Sequence, residues 1–195
     1  MTSPIFLHML GIPGAGKTTF LNILEANWTG ADKPYLLGFD QVMQAMPDYQ
    51  AEPDKIKAFE MFELPAREKG YQILETLIAE KQSLFFDNGG SAASHLEILT
   101  RAKESGYTII LVSIATPITI AQRHVDQRSI IEGRHTPMTY LEDRAQKISA
   151  LIADYRALTP HFYEITNDGL NMSDFEKSCY NLAQELTLKF GKQAA

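Results

Sequence analysis

The chain of 195 residues has a single cysteine, no long hydrophobic run and no surplus of positive charge. Each shortage removes a class of protein. Cys179 alone cannot close an intramolecular disulfide, and its place in an amphipathic C-terminal segment suits a small core or interface residue. The apolar stretch 4–12 is too short to span a bilayer and no basic region precedes it, so no membrane association is expected and the cytoplasm is the default location. A formal net charge of -6 makes a nucleic-acid partner an unfavoured reading, because such binding depends on broad basic surfaces that neutralise phosphates. The histidines at 8, 95, 124, 135 and 161 lack metal-ligand spacing and read as structural or solvent-exposed, with His135 set apart by its place beside an arginine-rich loop. No repeat, low-complexity tract or linker divides the chain.

What is present is 45% hydrophobic residues, enough to fill the core of one domain, 1–195. Short apolar runs at 4–10, 35–39, 83–86, 107–114 and 161–165 read as strands. Tyr107 to Ile114 would be apolar on both faces and therefore buried on both. Helical periodicity fills the gaps at 17–27, about 54–80 with an interruption or bend near Pro65, 91–104, 117–128, 137–157 and 173–190. Strands separated by helices imply right-handed crossovers, hence an α/β fold with a mostly parallel five-stranded sheet covered on both faces.

Gly11-Ile12-Pro13-Gly14-Ala15-Gly16-Lys17-Thr18 matches G-x-x-x-x-G-K-[ST] in full, behind a strand and ahead of a helix. Gly11, Gly14 and Gly16 let successive N–H groups turn inward, so that this stretch, with Pro13 and Ala15, can cradle the phosphates of ATP or GTP. The following helix adds the partial positive charge of its N-terminus. Lys17 would reach the β/γ-phosphates, the Thr18 hydroxyl would ligate Mg²⁺, and Thr19 would donate to the α-phosphate. The chain has neither Asn-Lys-x-Asp nor Leu-Ser-Gly-Gly-Gln, which disfavours a guanine-nucleotide switch or a transporter ATPase.

A compact kinase of small molecules needs two further parts, a group that orients the acceptor hydroxyl and cations for the transferring phosphoryl. Asp40, closing Leu36-Leu37-Gly38-Phe39, is the candidate base, since strand carboxyl ends line the ligand crevice in parallel sheets; a helix N-cap for the segment from Gln41 is the structural alternative. Asp87, closing the run 83–86, is the candidate second Mg²⁺ carboxylate, or else a turn residue of Asp87-Asn88-Gly89-Gly90. Arg123, Arg128, Arg134 and Arg144 supply cations around a helix–loop–helix, and Arg128 and Arg134 are the candidates for a lid spanning about 124–140 that closes over the phosphates. The segment from Met46 to Gly70 is the expected acceptor pocket, with Tyr49, Phe59, Phe62 and Arg67 as candidate contacts, of which Phe59 and Phe62 on helical spacing read sooner as core.

The succession GIPGAGKTT, FDQVM, FFDNGGS, GYTIILVSIATPITIAQRHVDQR and GRHTP, over residues 4 to 167, resembles the zeta-toxin kinases. That resemblance implies a P-loop NTPase three-layer sandwich with a small helical lid. It also implies ATP or GTP with Mg²⁺, and phosphorylation of a sugar hydroxyl on an activated UDP-amino-sugar. Position by position it makes Lys17 the phosphate-loop lysine, Thr18 the magnesium-binding hydroxyl, Asp40 the base, and Arg128 and Arg134 the two lid arginines. No antitoxin-like protein partner is inferred. The order Asp40-Gln41-Val42-Met43-Gln44 departs from the family's basic residue after the base. The stretch Leu37 to Pro47 is also similar to the base segment of chloramphenicol phosphotransferases, which makes an antibiotic-like alcohol the second acceptor class, and a nucleotide-dependent binding protein without phosphotransfer is the third reading.

Overall fold

The computed structural model describes residues 3–30, 33–132 and 136–191. In chain order the elements are β1 (Ile5–Leu10), α1 (Lys17–Asn27), β2 (Tyr35–Gly38), α2 (Phe39–Gln44), α3 (Pro47–Ala51), α4 (Lys55–Ala79), β3 (Leu84–Asp87), α5 (Ala93–Glu104), β4 (Thr108–Ala115), α6 (Ile118–Glu132), α7 (Met138–Leu158), β5 (Phe162–Thr166) and α8 (Met172–Phe190). The five strands form one sheet in the order β2-β3-β1-β4-β5, and every pairing is parallel.

Alternation along the central strands builds a core on each face. Ile5, Leu7 and Met9 of β1 with Ile110, Val112 and Ile114 of β4 pack toward α1 and α8. Phe6 and Leu10 with Ile109 and Leu111 pack toward α2, α4 and α5. This is the period-two geometry of a strand covered on both sides, and it makes the molecule a three-layer α/β sandwich. Cys179 lies fully buried in the α8 layer, where burial pushes its thiol up to about 12. Among the described residues no helix is long and apolar enough to cross a membrane.

Two local readings change. The helix expected to be interrupted or bent near Pro65 is not interrupted and runs as one element from Lys55 to Ala79, capped by the Asp54 carboxylate on the N–H groups of Ile56 and Lys57. Pro65 and the residue one turn before it, Met61, are both exposed, so the proline's missing donor falls on the solvent side of the helix. The segment after β2 holds two short helices, α2 and α3, which are too brief to show a periodic signal.

Beneath the loop after β3 lies a buried aromatic and imidazole cluster. His8 of β1 is fully buried, stacks on Phe86 at 5.2 Å between centroids, and lies 5.4 Å from the His95 ring. Burial holds His8 well below the usual imidazole range, and burial together with the Arg67 charge lowers His95 to about 4. Both histidines therefore bind protons more weakly folded than unfolded, so their stabilising contribution is complete above about pH 6.5 and is lost as pH falls below it. For His95 the loss amounts to about 3 kcal/mol by pH 4, at about 1.4 kcal/mol per unit. Urea unfolding at pH 7.5, 6 and 5 is expected to show this slope, and His95→Gln, which can still reach Tyr71, is expected to flatten it. An unchanged slope in the variant would remove His95 as its source.

Candidate phosphate-transfer site

Strand order reverses between β1 and β3, because the chain leaves β1 toward β2 on one side and returns from β3 across to β4 on the other. The crevice at such a switch point opens beyond the carboxyl ends of the strands. The Gly11–Gly16 loop leaves β1 here, and Asp87 ends β3 directly beside it. The loops are joined by the Gly11 N–H, which donates to the Gly89 carbonyl at 3.1 Å.

The loop's shape depends on backbone that side chains would obstruct. Gly14 has φ +79°, and a Cβ there would stand 2.4 Å from the Ala121 carbonyl oxygen of α6. Gly16 has φ +104° and precedes α1 with no side-chain cap, which leaves the first N–H groups of the helix available. Three side chains brace the loop from outside. His124 Nδ1 bonds the Gly14 carbonyl at 2.8 Å, and because a carbonyl only accepts, that nitrogen carries the proton. Asn167 Nδ2 and Thr116 Oγ1 donate to the Ala15 carbonyl at 2.9 and 3.3 Å. Thr116 and Asn167 directly follow β4 and β5, so the strand-end rule that marked Asp40 and Asp87 was the signal available for them. His124 carries no such signal.

Lys17 donates from Nζ to the Ile12 carbonyl at 3.0 Å. Burial lowers its pKa, opposed by Asp87 and Asp40, while Arg128 adds to the lowering. Two carboxylates and a guanidinium thus act on one ammonium inside the loop. Thr18 Oγ1 donates to Asp87 Oδ2 at 2.8 Å. A hydroxyl and a carboxylate oxygen at that separation fit what Mg²⁺ takes in such sites, where it keeps several waters and nucleotide oxygens for its other positions. Among the described residues there is no cluster of three His, Cys, Asp or Glu that would hold a metal by protein ligands alone.

Asp40 is not an N-cap. Helix α2 begins at Phe39 with Gly38 as its cap, which puts Asp40 in the first turn, exposed, with its field felt at Lys17. Phe39 fixes that turn against Tyr71 and Phe86, with ring centroids 4.9 and 5.5 Å away, and lies so close to Gly70 that a Cβ there would meet its ring at 2.4 Å. Arg123 is exposed on α6, whereas Arg128 is partly buried. Arg134 and His135 lie outside the described residues. Phe59 and Phe62 are half-buried against the core on the α4 side, Tyr49 meets Phe62 edge-on at 6.3 Å, and Arg67 pairs with Glu63 on its own helix.

Fold and loop together define the class, a P-loop nucleotide-binding α/β protein of the kinase type. The Zeta toxin family model matches residues 2–169, and the chain belongs to that family. Among curated proteins none matches the sequence. Similar solved structures include a chain of the PezAT chromosomal toxin-antitoxin system of Streptococcus pneumoniae, with 17% identity and a TM-score of 0.61 over 98% of this chain and 85% of that one. A shikimate kinase from Acinetobacter baumannii, in complex with shikimate, is 18% identical with a TM-score of 0.57 over 97% of each chain. A gluconokinase from Sinorhizobium meliloti is 13% identical with a TM-score of 0.56 over 97% of this chain and 99% of that one. Family and fold support a nucleotide-dependent kinase.

Proposed function

We propose that the chain transfers the γ-phosphoryl of ATP or GTP, with Mg²⁺, to a hydroxyl of a small molecule, with a UDP-amino-sugar the first candidate acceptor and an antibiotic-like alcohol the second. The observation that carries this reading is the convergence at one switch point. The Thr18–Asp87 oxygen pair at 2.8 Å sits beside Lys17, and the charges of Asp87, Asp40 and Arg128 all act on that lysine. A protein that only switched on nucleotide occupancy would need the loop and the metal pair but no second carboxylate at the acceptor side.

In this reading the loop N–H groups and Lys17 hold the β- and γ-phosphates, and Arg128, with Arg134, closes from a lid over about 124–140 to offset charge on the transferring group. Thr18 and Asp87 would hold Mg²⁺, which would supply positive charge to offset that of the nucleotide phosphates. Asp40 accepts the hydrogen bond of the acceptor hydroxyl, orients its oxygen in line with the γ-phosphorus, and takes the proton as the new O–P bond forms. His124 and Asn167 keep the loop in shape before nucleotide arrives, so little reorganisation is left for the reaction itself. The test is a screen of UDP-sugars, aminoglycosides, chloramphenicol-like alcohols and nucleosides for acceptor-dependent ATP consumption. A UDP-amino-sugar as best acceptor supports the reading in full. Nucleotide binding with no consumption above background for any member would sink it in favour of a binding protein.

A further inference from the structure

Arg144 stands in the second turn of α7 and reaches across to the loop between β3 and α5, where its Nη1 donates to Ser91 Oγ at 3.1 Å. Its guanidinium lies over the Tyr140 ring, 4.5 Å from the centroid, and only 27% of the side chain is exposed. The carboxylate beside it does little for it. Asp143 Oδ2 is 3.7 Å from Nε, beyond hydrogen-bonding distance, and is held at 2.9 Å by Lys147. Nε itself is buried and has no hydrogen-bond partner. A guanidinium offers five donors in a fixed fork, and among the described residues this one uses one of them. Removing a cation from water with so few partners is costly, and surrounding structure that holds it there anyway suits a site completed by a ligand.

The position says which ligand. Ser91 lies two residues beyond Gly89, whose carbonyl takes the Gly11 N–H, so Arg144 addresses the same crevice as the phosphate loop but from the α5 and α7 side. The same loop leads into α5, where His95, one turn past Ser91, is bonded at 3.0 Å to Tyr71 of α4. The nucleotide phosphates already have the loop, Lys17 and the α1 N-terminus. We propose that Arg144, steadied by Ser91 and Tyr140, binds an oxyanion carried by the acceptor, a carboxylate or a phosphate. This makes the site selective for anionic over neutral alcohols. The inference rests on the kinase reading given above and specifies the acceptor side of that site.

Equilibrium binding tests it without turnover. The full chain, saturated with a non-hydrolysable ATP analogue and Mg²⁺, is titrated calorimetrically with D-gluconate against D-glucose and with UDP-N-acetylglucosamine against N-acetylglucosamine. At least one anionic member is expected to bind, with its neutral counterpart at least tenfold weaker. Preference for gluconate identifies a carboxylate and preference for the UDP-sugar a phosphate. Arg144→Met, which keeps an apolar stem against Tyr140, is expected to weaken the anion by about tenfold to a hundredfold, the loss of a hydrogen-bonded charge, and Arg144→Lys to recover part of it. Affinity for the ATP analogue in the same preparations reports folding. The proposal is overturned if neither anion binds, if neutral partners bind as tightly, or if Arg144→Met binds the anion like the parent. ATP consumption with the bound acceptor reads the kinase assignment separately, so anion binding without turnover would sink that assignment and leave the anion site standing.

Discussion

Asp40→Ala is expected to lower turnover with the best acceptor by about a hundredfold to ten-thousandfold, the range a positioned general base contributes, while changing ATP affinity by no more than about threefold. The two effects separate because the proposed nucleotide contacts belong to the loop and α1, whereas Asp40 belongs to α2 on the other side of Asp87. Asp40→Asn should fall between parent and alanine, since an amide oxygen still accepts the acceptor's hydrogen bond but takes no proton. In a loose phosphoryl-transfer transition state the orienting part of that role is substantial. The rival account is that Asp40 merely complements the dipole of α2 from its first turn, which at an exposed position is worth about 0.3–1 kcal/mol of stability and nothing in turnover. Measuring kcat, KM and thermal midpoint on the same three proteins decides it. Parent-like turnover with a lowered midpoint would leave Asp40 a helix residue and no more.

The central strands were legible because they are buried on both faces, unlike the partly exposed edge strands β2 and β5. A run such as Thr108 to Ala115 announces itself by continuous apolar character, and the expected strand ends fall within a residue of the observed ones. The phosphate loop was legible for a different reason, that its glycines and lysine are constrained by backbone geometry within eight consecutive residues. Contacts that join distant segments left no such trace. His124 on Gly14 spans 110 positions and Asn167 on Ala15 spans 152; nothing local to His124 distinguishes it from a helix-surface histidine, and Asn167 carries only its place directly after β5. Arg144 shows the same limit from the other direction. As one of four arginines near a proposed lid it looks like a phosphate clamp, and only its bond to Ser91 and its buried, unpartnered Nε turn it toward the acceptor. The α2 segment lies between these cases. Its six residues are too few for periodicity, yet Gly38-Phe39-Asp40 carries meaning once Phe39 is seen wedged against Gly70 and Tyr71, because that wedge anchors the turn to which Asp40 belongs.

Lys17→Met should lower both nucleotide affinity and turnover, the latter by about a hundredfold to a thousandfold, as expected when one fixed donor to the transferring phosphates is removed. The loop holds this ammonium on the Ile12 carbonyl at 3.0 Å, which fixes its direction within the cradle. Asp87 and Asp40 favour its charged form against burial and Arg128, which means that the lysine also screens two carboxylates from an incoming polyanion. Methionine keeps the length and the apolar stem but removes the charge, and the uncompensated carboxylates then repel the γ-phosphate. Lys17→Arg is not expected to rescue. A planar fork needs more room than a single nitrogen in a loop where Gly14 already touches α6, and its donors point along fixed directions. Calorimetric titration with ATP and Mg²⁺, beside single-turnover rates, reads the two losses independently. ATP binding equal to the parent in Lys17→Met would show that the loop cradles something other than a triphosphate. A loss of affinity with an unchanged single-turnover rate would restrict Lys17 to binding and leave Arg128, with Arg134, as the cations that act on the moving phosphoryl group.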